Sequence, residues 1–464
     1  MGFLIFKAEF NIENIIMFLG EKMSNNSIWP GQGAEAVKKD TFFDHVNDID
    51  IKHDIYLYDN EILNLLALHV CIYKEKLLTP SLSKKIIKIL LKLKGKNDFK
   101  ISGTEDVHSL VQSLVNKIDN EAGNNLRIFL SRNDQSQTNM RMFIRDNLLI
   151  ISSTLMSLSE SLGKININIP MPGFTHYRQA MPLMIATYFS SWAEAIMDNV
   201  AKILNVVESL DISPLGSGAG YGSYLPINYN ECSKYLGFKQ FSENPLYISN
   251  KRGYDEYITI ESLTSIYITI SRLAMDLISL SDDKYGIVKL PSAFVSGSSL
   301  MPNKKNPDFL ELMQGYAAKS VGALNLSLSI LLNKTSGYHR DFQICKQEVM
   351  DLILDSKQVF TSLLSFFEAI KIDENRAKES INNSSYATLR ALELFKMGSS
   401  WFESYKKSGS EIVSGIKFKD YKIKIMKNNL RFKKKSLIRS ITQKTKEIED
   451  SKNRLINEAL KIVE

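Results

Sequence analysis

The sequence is short of cysteine and histidine, and each shortage excludes something. Three cysteines in 464 residues, Cys71, Cys232 and Cys345, are odd in number and far apart, which argues against a disulfide framework and fits a reducing, cytoplasmic setting. Six scattered histidines give no His-Glu-x-x-His and no Cys/His spacing suited to zinc, so no metal is expected. Stretches that alternate Val, Ile and Thr between turn clusters are rare, which leaves little room for sheet. There is no Gly-x-Ser-x-Gly elbow, and the glycine-rich Ser213–Gly220 lacks the Gly-Lys-Ser/Thr ending of a phosphate loop. Close backbone approach or mobility is the better reading there.

Charge and hydrophobic runs exclude more. The balance of 58 basic against 51 acidic residues, net +7, is modest and comes partly from lysines between Lys417 and Lys435. These read as a solvated amphipathic face, and no nucleic acid is expected as a partner. Lys7, Glu9 and Glu13 interrupt the apolar start, and Glu261, Arg272 and Asp276 interrupt the run 255–280, so no membrane partner is expected. Met23 reads as the true start, with 1–22 an upstream extension, and Trp29–Gly33 as a turn-rich arm.

What the chain has is helical periodicity. Apolar residues recur near 3.6 over 54–78, 81–94, the run after Gln135, 183–210, 255–280, 307–332 and 344–370. Thr104 is a plausible cap for a helix opening near Gly103. Asn306 suits an N-cap and Pro307 a first helical position, since proline lacks the N–H that would go unpaired. The fold class is all-α: an elongated central bundle of long helices over 128–372, with smaller helical domains at 1–127 and 373–464. Its apolar faces exceed what one bundle can bury, which points to an oligomer.

Polar residues gather where these helices begin. Ser131-Arg132-Asn133-Asp134-Gln135 opens one and reads either as an ordinary capped start or as a carboxylate site, because free N–H groups and a guanidinium point the same way. His176 sits on a connection within Pro172-Gly173-Phe174-Thr175-His176. The stretch Gly297-Ser298-Ser299-Leu300-Met301-Pro302-Asn303-Lys304-Lys305-Asn306-Pro307 packs hydroxyls and lysines ahead of a helix carrying Glu311, and Tyr338 to Lys346 opens another. Cations beside hydroxyls suit a di- or tricarboxylate whose negative charge grows during reaction.

These motifs, with Glu105-Asp106-Val107-His108 and Pro214-Leu215-Gly216-Ser217-Gly218-Ala219, resemble in order those of the argininosuccinate lyase family, within the fumarase/aspartase superfamily. The resemblance covers roughly residues 40–370. It implies an all-helical homotetramer that cleaves argininosuccinate to arginine and fumarate, the last step of arginine synthesis, without a cofactor and with active sites shared between subunits. Carried onto this sequence, it implies Ser298 as the base, Lys304 and Asn306 as holders of the carboxylate, His176 as the proton donor to the leaving nitrogen, and Glu311 as its orienting partner. Ser131, Arg132, Asn133 and Thr175 would bind the succinyl portion, with His108 among the substrate binders; Tyr338, Gln343 and Lys346 would hold the arginine portion.

The departures from the family are specific. Ile128-Phe129-Leu130 stands for Thr-Gly-Arg, Pro30-Gly31-Gln32-Gly33 for Gly-Gly-Arg-Phe, Lys251-Arg252-Gly253 for Asp-Arg-Asp, and Asp50 for a substrate-contacting serine. They leave room for a sister lyase acting on another N-substituted aspartate such as adenylosuccinate, or for a non-catalytic structural homologue.

Overall fold

The structure, a computed structural model, describes residues 41–96, 105–418, 421–423 and 430–464. The extension 1–22, the Trp29–Gly33 arm and the Thr104 cap lie outside them. Helices follow one another as α1 (Thr41–Asp54), α2 (Tyr58–Lys74), α3 (Pro80–Leu93), α4 (Val107–Ile118), α5 (Asn120–Asn124), α6 (Arg132–Lys164) and α7 (Ile185–Ser209). Then come α8 (Tyr229–Tyr235), α9 (Pro245–Asn250), α10 (Tyr254–Ser281), α11 (Asp308–Leu331), α12 (Phe342–Ala369), α13 (Glu374–Glu379), α14 (Ala387–Lys396), α15 (Trp401–Val413) and α16 (Leu430–Val463).

The long helices α6, α7, α10, α11 and α12 form the bundle, with α10 packed along α11 and against α7 and α12, and α6 against α7 and α12. Leu148, Leu155, Ile196, Val200, Ile203, Leu263, Ile266, Ile270, Val349, Ile353 and Phe360 are fully buried between them. Each such side chain contributes about 1.5–3 kcal/mol by leaving water. Helix α10 is the one described helix apolar and long enough to cross a membrane, but half of that apolar window is buried in the bundle, so packing accounts for its composition.

Alternation of direction matters most for function. Helices α6, α10 and α12 all start at one end of the bundle, and α7 and α11 run back towards it. The segments 165–184 and 282–307 therefore connect helices at the opposite end. Helix α10 has 28 residues, so the two ends lie about 42 Å apart.

Three expectations are corrected. The helix near 104 is capped by Asp106, whose side chain accepts from Ser109 N–H at 2.6 Å. Asn306 does not cap α11: Ser296–Gly297 pairs antiparallel with Lys305–Asn306, and Pro307 occupies the cap position. Asn306 is extended by that ladder, and its amide turns back to Ser296 Oγ at 3.4 Å. Third, the segment around His176 is a hairpin, Pro170–Thr175 with Arg178–Met184, masked in the sequence by its prolines. His176 and Tyr177 make its turn at φ +51° and +58°, a left-handed conformation that non-glycine residues rarely adopt.

After α12 the chain forms a small unit in which α14 packs on α15, and α16 then lies along α2, α3, α6, α7 and α8. Its lysines are tied to the bundle: Lys434 Nζ meets Glu160 at 2.9 Å, Lys452 meets Asp146 at 2.6 Å, and Lys444 pairs with Asp211.

Candidate functional site

Where α4, α6, α10 and α12 begin, their N-termini border a cavity of about 190 Å³ lined by residues of five segments: Asp50 and Asp54, Glu105 to His108, Arg132 to Ser136, Arg252, and Tyr338 to Lys346. Free N–H groups and the positive ends of helix dipoles favour an anion at such a place. Ser131 caps α6, its Oγ accepting from Asn133 N–H at 3.2 Å. Arg132 is held by Glu105 at 3.0 Å, by Asp106 at 3.1 Å and by donation to Ser109 Oγ at 3.1 Å.

Lys346 is 5% exposed and sits between two carboxylates, with Asp54 Oδ1 at 2.8 Å and Asp50 in ion-pair contact. Burial works against its charge, but the two carboxylates outweigh it and hold the ammonium pKa above its ordinary value. Burial pushes the Asp50 carboxyl up, despite the opposing pull of Lys346. Gln343 donates to Asp50 Oδ2 at 3.2 Å.

His108 places Nδ1 2.9 Å from Glu61 Oε2. Burial would lower the imidazole pKa, yet the charge and hydrogen bond of Glu61 raise it further, for a net rise. Glu61 is itself fixed by Gln135 and by Asn139 Nδ2 at 2.7 Å.

The structure thus brings together Arg132, Asn133, His108, Tyr338, Gln343 and Lys346, with Ser131 beside them. It does not bring Ser298, Lys304, Asn306, Glu311, Thr175 or His176 to this cavity; those residues lie at the other end of the chain's bundle. There Ser298 Oγ accepts from the backbone N–H of Leu300 at 3.3 Å and Met301 at 3.0 Å. His176, Thr175, Lys304 and Glu311 are exposed. Among the described residues no group of three or more metal-ligating side chains converges.

Sequence reasoning missed Arg252, Asp54 and Glu61. Arg252 is buried, donates to Asn133 O at 3.3 Å and Ser136 Oγ at 3.2 Å, and lies 4.2 Å over the Tyr338 ring. Its signal was available: like Arg132, it stands at the start of a long apolar helix. Glu61 interrupts the apolar stripe of α2, a position where an acid needs a partner.

A family model described as a lyase matches residues 33–322. The argininosuccinate lyase of Thermotoga neapolitana is 35% identical over 337 residues, covering 71% of this chain and 85% of its own. That of Phocaeicola vulgatus is 30% identical over 81% of this chain and 85% of its own. Among solved structures, EDDS lyase in complex with formate superposes with a TM-score of 0.73 at 18% identity, over 88% of this chain and 92% of that one, a likeness of fold. On shared sequence, the chain belongs to the argininosuccinate lyase family of the fumarase/aspartase superfamily.

Proposed function

We propose that this chain is an argininosuccinate lyase, releasing fumarate and arginine by anti β-elimination in the cytoplasm, as a homotetramer whose active sites are shared between subunits. The central segment 128–372 would be the oligomerisation core. One observation carries the reading: Ser298 Oγ already accepts two backbone N–H groups. A serine is a poor base at its free pKa, and N–H donors aimed at its oxygen favour the alkoxide form.

In the reaction, Ser298 takes the proton from the carbon next to a substrate carboxylate. Lys304 and Asn306 hold that carboxylate as it becomes an aci-dianion. The electron pair then forms the fumarate double bond as the carbon–nitrogen bond breaks, and His176, oriented by Glu311, protonates the leaving nitrogen. Thr175 with Ser131, Arg132, Asn133 and His108 binds the succinyl portion, while Tyr338, Gln343 and Lys346 hold the arginine portion. Since the cavity and the Ser298 loop sit at opposite ends of one bundle, the arrangement needs other copies of the chain. Fumarate release from argininosuccinate tests the reading: Ser298→Ala and His176→Ala should each lower kcat by roughly a hundredfold or more. Absence of fumarate, or full activity in both variants, would reject it.

A further inference from the structure

We infer that Asp50 selects the substrate arm, favouring an N-substituent that ends in a cation over one that ends in a carboxylate. The inference rests on the lyase reading above and concerns the same cavity. Asp50 comes from the last turns of α1, is 5% exposed and lines the cavity beside Gln343 and Lys346. The resemblance places a neutral serine here and gives Lys346 and Gln343 to the arginine portion.

With a serine, the Lys346 ammonium would be balanced by Asp54 alone. With Asp50 it meets two carboxylates, so immediately around Lys346 negative charge outnumbers positive, the next cation being Arg340 on the far side of Gln343. The Gln343 amide is engaged on both sides, donating to Asp50 Oδ2 and accepting from Arg340 Nε at 3.2 Å. Lys346 and the Gln343 amide are therefore already engaged by the protein's own carboxylates before an arm ending in a carboxylate arrives. An incoming carboxylate would meet like charges where water screens them poorly, whereas an ammonium would be attracted. On the same cavity wall Arg252 forms no carboxylate ion pair within 4 Å among the described residues, Glu256 acting on it only at longer range. The cavity is thus polarised, accepting an anion near Arg252 and Asn133 and a cation near Asp50. That polarity matches an N-substituted aspartate carrying carboxylates at one end and a positive group at the other.

The test compares three compounds: argininosuccinate, its analogue without the arginine α-carboxylate, and its analogue without the arginine α-amino group. Fumarate release gives kcat/KM for each with the native protein, Asp50→Ser and Asp50→Asn. The ratio of the amine-ended to the carboxylate-ended analogue should exceed one in the native protein and fall at least tenfold in both variants. Argininosuccinate, which has both groups, should fall between. Each ratio is taken within one preparation, so a partly folded variant lowers both values and leaves the ratio intact. An unchanged ratio, or a fall in the serine variant alone, would overturn the inference while leaving the lyase reading in place. No fumarate from any compound with any of the three proteins would remove that reading and the inference together.

Discussion

At the scale of the residue, the cavity is a set of charges whose states are fixed by their neighbours, and His108 shows how. Its pKa is raised above the ordinary 6.5, so the stabilisation from its pairing with Glu61 is complete below about pH 6.5 and fades as pH rises through the higher folded value. Glu61→Gln should therefore cost roughly 3 kcal/mol at pH 6, as for a broken buried pair, and less at pH 9. Thermal melts at the two pH values check this; equal losses would mean that the pair does not titrate in this way. The same contrast explains what could be read in advance. Arg132, Asn133 and Lys346 stand in motifs at helix starts and were legible. Glu61 was not, because its partner His108 is 47 residues away and only the packing of α2 against α4 brings them together.

At the scale of the element, the start of α6 is pinned to the glycine-rich loop rather than left mobile. Asp134 Oδ2 accepts from Gly216 N–H at 3.0 Å and Gly218 N–H at 2.9 Å. The loop needs glycine: Gly216 has φ +97°, and a Cβ there would come within 2.6 Å of the Tyr229 ring. Burial pushes the Asp134 carboxyl up to about 7, against the pull of those N–H groups. A raised folded pKa favours the protonated form, so stability is fully present below about pH 4 and lost as pH rises through about 7. Asp134→Asn keeps an acceptor and cannot ionise. Its melting temperature relative to the native protein should therefore climb between pH 5 and pH 8; a constant difference would show that the carboxylate ionises at its ordinary pKa. Periodicity revealed the long helices because one face of each is buried along its whole length. It could not reveal the hairpin around His176 or the Ser296–Asn306 ladder, which are held by pairing between short segments rather than by an apolar stripe.

At the scale of the whole molecule, the bundle is apolar on the outside as well as within. Ile268 and Met275 of α10, and Leu312, Val321, Leu326 and Leu328 of α11, are exposed, Leu312 to 59%. Val321 and Leu328 are seven residues apart and so share a face of α11. Exposed apolar surface spread along α10 and α11 is a liability for a monomer and an asset for association. It also runs between the two ends that one chain cannot bring together, so association along it is what would carry a Ser298 loop to another chain's cavity. Burying two glutamates in such an interface is expensive, whereas on a free surface they would be harmless. The double variant Val321→Glu, Leu328→Glu should therefore keep the helical circular dichroism of the native protein, sediment as a smaller species than the native protein, and lose fumarate release in step with the loss of assembly. Native-size assembly with full activity would place the subunit contact on another face; a smaller species that remained fully active would show that a single chain holds a complete site.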